Sequence, residues 1–250
     1  MKSLDLNDFL EAEFQCTTQT ILYLGKDLIL YEHAFNLLLE MINHIHDRKM
    51  PENPLPLVKS AIMLIVPRIV QSLQSIRDLT LKGYYYDLSV VQRSFIESIG
   101  LCAYLSQNPE KEALNWLKGK NVSVAKINLL HYAGKLLKDT KTDTKRAKAL
   151  YGRLCNYAHA NVRALVSLLS KIESPNLTIG TFYVPVFDEK QVECIAPWTI
   201  FTLAVLKEIF YDELAERKRN KITKQLNLYL DEMDLILETK KSKLYGRHYG

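Results

Sequence analysis

The stretch "YGRLCNYAHANVR" at 151–163 gathers Arg153, Asn156, His159 and Arg163 within about three helical turns. These types suit proton transfer beside an anion. An imidazole gives and takes a proton near neutral pH, and a guanidinium grips phosphate or carboxylate oxygens in pairs. On a helix each residue advances about 100°, so Asn156 and Arg163, three before and four after His159, share its face. Gly152 lies in the same arc, with Ala149, Ala160 and Ser167 at its edge, so small or polar neighbours let a ligand or a second chain approach closely. Arg153 points about 120° away from His159 on the same helix. An arginine beside a histidine disfavours the imidazolium and leaves a neutral ring able to act as a base. The competing reading is a histidine hydrogen-bonded to a neighbouring helix.

A second row follows the same logic. Ser89, Arg93, Glu97 and Gly100 step by four, four and three, with Tyr86 and Tyr104 extending the line, while Leu88, Val91, Phe95, Ile99 and Cys102 take the opposite side. Arg93 and Glu97 can pair at i, i+4, worth about 0.2–0.5 kcal/mol if exposed. Alternatively the row packs toward His159, and Glu97 orients or charges the ring. A third reading makes both rows an internal polar network that holds the helices in register.

Other polar groups carry less. His44 and His46 diverge on a helix, and Asp47 is a weak third ligand, so no metal is expected. His131 stands alone beside Tyr132, and the tyrosines of "GYYYD" (83–87) suit helix packing as well as ring stacking. No GxxxxGK[ST], GxGxxG, GxSxG or HExxH occurs, which removes support for phosphate-loop, dinucleotide, hydrolase-elbow and zinc-protease chemistry. No cofactor is expected.

The elements that position these residues are read from a helical period that dominates the chain. It predicts helices over 7–24 and 27–47, broken at "LGKD", and a loop at "MPENPLP" (50–56). Further helices are expected over 56–81, ended by Gly83, over 84–106, and from Pro109 to Leu117. The pattern continues over 122–138, then over 145–172, the helix that carries His159. "NLTIGTFYVPVFD" (176–188) is β-branched and aromatic, and reads as a short hairpin-like excursion. Helix returns over 189–217 and 220–238, and 239–250 reads as a flexible basic tail. The expected fold is mainly all-α, one multi-helix bundle and a single domain over 1–250.

Composition agrees. Nine Gly and eight Pro are few for a sandwich or barrel. The net charge is +5, yet 110–171 holds 13 Lys and Arg against 4 Asp and Glu. That basic block suits a phosphate-bearing partner, although lysines on solvent faces give the same count. Cys16, Cys102, Cys155 and Cys194 form no CxxC pair and read as reduced thiols. The acidic N-terminus is unlike a secretory signal, and "SAIMLIVPRIV" is cut short by Pro67 and Arg68. A cytoplasmic protein that does not span a membrane is expected.

"VVQRSFIESIGLCAYL" followed by "LYGRLCNYAHANVRAL" resembles, over about 65–215, a family of helical prokaryotic proteins known as a domain of unknown function. Arg93 and Glu97 match its Arg-xxx-Glu-like helix, and Asn156 and His159 its polar-xx-His motif. At greater distance the chain is similar to HEPN helical domains, many of them metal-independent ribonucleases or toxin and defence components. Their Arg-(x4–6)-His motif sits at a dimer interface, and Arg153 to His159 fits that spacing; the residue after the Arg is typically polar there and is Leu154 here. The resemblance implies a homodimer acting on RNA or a nucleotide. His159, Arg153, Asn156 and Glu97 would be its catalytic groups, and Arg163, Arg93 and Ser89 would hold substrate or anion. The alternative is a non-catalytic helical module that binds a protein partner or a small anion.

Overall fold

The computed structural model describes residues 6–47, 55–120, 122, 129–137, 185, 187–189 and 191–246. Within them the protein is a helical bundle. Its helices are α1 (Leu6–Leu24), α2 (Lys26–Asp47), α3 (Leu57–Lys82), α4 (Tyr85–Ser106), α5 (Glu110–Leu117), α6 (Leu129–Leu136), α7 (Ala196–Ile209) and α8 (Glu216–Gly246), with a 3₁₀ turn at Tyr211–Glu213. There is no strand among the described residues. Of the expected excursion at 176–188, residues 185, 187 and 188 are described and are not strand, and the rest lies outside.

Glycine ends the helices where the sequence put it. Gly25 separates α1 from α2 at φ 43°, and Gly83 follows α3 at φ 78°. Gly83 N–H donates to the Thr80 carbonyl at 3.3 Å and Tyr84 N–H to that of Leu79 at 2.9 Å, the paired bonds of a Schellman cap. Gly119, at φ 75°, closes α5 the same way, with Gly119 N–H on Trp116 and Lys120 N–H on Asn115.

Two helix expectations shift. The helix expected over 122–138 is described at Leu129–Leu136, and Val122 is not helical. The break expected near 218–219 comes earlier, at 210–215, and residues 191–195 lie outside any helix. Phe210 and Leu214 are both buried across that break, so the apolar rhythm runs on while the backbone turns. α8 then continues through Gly246, into the segment read as a tail.

The chain divides into two compact units, each built from separated stretches. One comprises Met1–Tyr23, Gln71–Ile96 and Asp143–Glu193; the other comprises Leu24–Val70, Glu97–Thr142 and Cys194–Gly250. In the second, α7 is apolar on nearly every side, as a central helix must be, and buries Ile200, Leu203, Val205, Leu206 and Ile209. α2 packs there through Leu30, Ala34, Leu37, Leu38, Met41 and Ile45, and α8 through Ile222 and Leu226. Each fully buried Leu or Ile contributes about 1.5–3 kcal/mol. Lys59 ties the start of α3 to the 3₁₀ turn, with Nζ 2.6 Å from both Glu213 oxygens.

Asp27, 1% exposed, organises the entry to α7. Its carboxylate accepts the Ile195 N–H at 2.7 Å and the Ala196 N–H at 3.3 Å. Ile195, the N-cap residue, has no side chain able to do this, so α7 takes its cap from α2.

In the first unit, Glu13 of α1 accepts from Lys82 and from the Tyr84 hydroxyl, both at 2.8 Å, and Phe9 leans on the Tyr84 ring. Its carboxyl is held below the usual glutamate range, first by the Lys82 contact and then by Tyr84, while Lys82 is raised in turn.

Candidate functional site

Arg153, Asn156, His159 and Arg163 lie outside the described residues, as does the helix expected over 145–172. The described part of the candidate site is therefore the row on α4. Ser89, Arg93 and Glu97 all fall within that helix and are all half-buried. Four-residue steps keep the three side chains on one side of it. The Ser89 hydroxyl donates to the Tyr85 carbonyl at 3.0 Å, a back-bond along its own helix. Arg93 and Glu97 are both engaged in polar or electrostatic contacts.

Beside Ser89 and Arg93, the face carrying Tyr85 and Gln92 receives the chain that leads into α7. Asp188 N–H donates to the Tyr85 hydroxyl at 3.3 Å, and Gln92 Nε2 to Glu193 Oε2 at 2.9 Å. Gln191 Nε2 reaches back to Asp188 at 2.9 Å, and Phe187 meets the Tyr23 ring edge-on at 5.7 Å. Asp188 and Glu193 are thus fastened along one edge of the Ser89–Arg93 row. Nothing in the sequence marked this contact, because it joins residues about a hundred positions apart.

Cys16 and Cys102 are not built as nucleophiles. Burial drives the Cys102 thiol far above its usual range and raises that of Cys16. Tyr104, also raised by burial first, donates to Glu112 at 3.0 Å and packs edge-on against Tyr132 at 5.3 Å. Among the described residues no three His, Cys, Asp or Glu side chains gather as a metal site.

A polar feature that sequence reasoning missed lies in the second unit. Glu40 of α2 is bound by Lys218 and by Lys221 of α8, the latter 3.1 Å from both carboxylate oxygens. The two ammonium groups, Lys218 foremost, hold the Glu40 carboxyl below its ordinary range. Earlier on α2, His33 and Asn36 share a groove with Gln225 and Tyr229, later on α8, so the two helices run antiparallel. Spacing along one helix cannot reveal a pairing between helices this far apart in the chain.

Among the described residues α3 is the one helix long and apolar enough, by composition, to cross a membrane. Much of its apolar surface, including Ile62, Ile69, Leu73 and Ile76, is buried within the protein.

Residues 59–149 match a family described as a family of unknown function, DUF5677. That segment holds Ser89, Arg93 and Glu97 and stops short of Arg153, so α4 lies in the part of the chain that is similar to this uncharacterised family. No curated protein and no solved structure matches the chain.

Proposed function

We propose that this protein acts on RNA or a nucleotide, without a metal, through the face that carries His159. The observation that carries the reading is the grouping of Arg153, Asn156, His159 and Arg163 inside a block of 13 basic and 4 acidic residues. His159 takes the proton from a ribose 2′-hydroxyl, and Arg153 or Arg163 holds the phosphate as charge builds on it. The divergence of Arg153 from His159 along one helix is resolved if two copies pair across it, each completing the other's site. Arg93 and Glu97 of α4, half-buried and within the family-matched segment, serve as supporting groups that orient the ring. The test is cleavage of a labelled RNA of mixed sequence by the purified full chain. His159→Ala and Arg153→Ala should each lower the rate at least about a hundredfold with helicity intact.

A second reading rests on the described contacts themselves. Several described charges are already taken up by partners, as at Glu13–Lys82, Lys59–Glu213 and Glu40 with its two lysines. That economy suits a non-catalytic helical module that binds a protein partner or a small anion. It gains if RNA is bound and never cut, or if the protein leaves RNA untouched.

A further inference from the structure

α1 leaves one of its sides open to solvent. The inner side is taken up: Cys16, Thr20 and Leu24 are buried, and Glu13 is held by Lys82 and Tyr84. On the outer side Leu6, Leu10, Phe14, Ile21 and Leu22 are between 43% and 78% exposed, Phe14 at 71%. At about 100° and 1.5 Å per residue, the five fall within an arc of about 160° and run about 24 Å along the helix. Together they present on the order of 500 Å² of apolar surface, the size at which an exposed patch marks an interaction rather than scatter.

Charge, symmetry and area together choose the occupant. α1 carries Asp8, Glu11 and Glu13 and no Lys or Arg. A helix that lies on an anionic membrane or along nucleic acid meets phosphates with cations, and this one has none to offer. A protein surface is left. The apolar residues stand eight and four positions before Phe14 and seven and eight after it. Reversed about Phe14, the stripe therefore falls on itself, which is what an isologous contact between two copies requires. Two such stripes bury roughly 1,000 Å² before any polar rim is counted, the level a specific interface has to reach. Direction follows from Glu11, exposed and bonded by Gln15 of its own helix at 3.1 Å. Parallel copies would set the two Glu11 carboxylates side by side. Antiparallel copies place each at the level of Thr17 of the other, about 9 Å along the axis from its twin.

We propose that α1 is a self-association surface: two copies of the chain pair through it, antiparallel, with Phe14 packed on Phe14 at the two-fold axis. The contact does not depend on the His159 chemistry. α1 belongs to the compact unit that includes residues 143–193, so a single two-fold axis can serve both this contact and the pairing asked of Arg153 and His159.

The test is sedimentation equilibrium of the full chain from low to high micromolar concentration. Wild type should reach twice the chain mass of 28.9 kDa. Phe14→Glu should weaken the pair at least about thirtyfold and Leu22→Glu about tenfold, with helicity retained. Leu228→Glu, at an exposed leucine of α8, should pair as the wild type does. A short bismaleimide should join Phe14→Cys into covalent pairs above the wild-type background. It should leave Leu6→Cys as single chains, because antiparallel copies hold the two Leu6 positions about 24 Å apart. Should Phe14→Glu lose helicity, Leu22→Glu decides, since Leu22 is the most exposed of the five. The proposal is overturned if wild type pairs and both glutamate variants pair equally well, which moves the contact to another face, or if Leu6→Cys is joined as readily as Phe14→Cys. A wild type that stays single at every concentration overturns it too. A lowered melting temperature in Phe14→Ala would then assign the stripe to cover by the chain itself, and binding to neutral lipid vesicles would assign it to a membrane. Pairing that is lost in Phe14→Glu, in a protein that leaves RNA uncut, upholds this contact and counts against the His159 reading alone.

Discussion

Asp27 shows how much a single side chain can hold. Its carboxylate, removed from water, is stabilised by two backbone N–H groups at the start of α7. Hydrogen bonds to a charged group are worth about 1.5–3 kcal/mol, and their loss leaves those donors buried and unmet. Asp27→Ala should therefore lower the unfolding free energy by about 2–3 kcal/mol in urea titration, and Asp27→Asn by less, because one acceptor oxygen remains. A different dependence belongs to Glu13. Its folded carboxyl is held below the ordinary value near 4.5, so its contribution is fully present above that pH and is lost as pH falls through the folded value. Lys82 is raised above 10.5, so its share persists up to that pH and fades only as pH climbs through the higher folded value. Lys82 is about half exposed, and solvent screens the pair, which limits it to about 0.5–1 kcal/mol. Measured against Glu13→Gln, the wild-type advantage in melting temperature should appear at pH 7 and close as the pH falls below 4.5 and through the lower folded value. None of this was visible in sequence. Asp27 meets residues about 170 positions away, and a lone acid at a helix start reads as an ordinary N-terminal charge.

Among the helices, what the sequence could tell followed from glycine, proline and period. The boundaries of α1, α2, α3 and α4 fall within a residue or two of the expected ones, because Gly25, Gly83 and the prolines before Leu57 act locally. The α7 to α8 break was misplaced because buried Phe210 and Leu214 keep the apolar pattern going through it. Local signals fix where a helix stops; they say nothing of which helix it meets, which is why the α2–α8 groove and the contacts of Asp188 and Glu193 with α4 were not foreseen. The Schellman cap of α5 gives a clean measurement of the glycine effect. No heavy atom lies within 4 Å of where a Cβ would sit on Gly119, so Gly119→Ala meets only the backbone penalty of φ 75°. A loss of about 1–2 kcal/mol is expected in chemical denaturation. A neutral result would show that α5 ends differently in solution.

For the whole molecule the decisive quantity is the charge and what it meets. The basic block over 110–171 exceeds the excess of the entire chain, and it surrounds the Arg153–His159 stretch while running into the family-matched segment. Of the candidate site, the α4 row was legible as a row, since four-residue steps define it. Whether it faces His159 is a matter of tertiary placement that spacing does not contain. The proposed function requires that two copies of the chain form two equivalent RNA-acting sites, each with Arg153 from one copy and His159 from the other. The direct measurement is RNA cleavage, in excess chelator, by wild type, by Arg153→Ala, by His159→Ala, and by an equimolar mixture of the two variants after subunit exchange. Wild type should cut, each variant alone should be silent, and the mixture should regain roughly a quarter of the wild-type rate, because half of the dimers are mixed and each holds one intact site. Silence in every sample, or cleavage by His159→Ala at the wild-type rate, would contradict the claim.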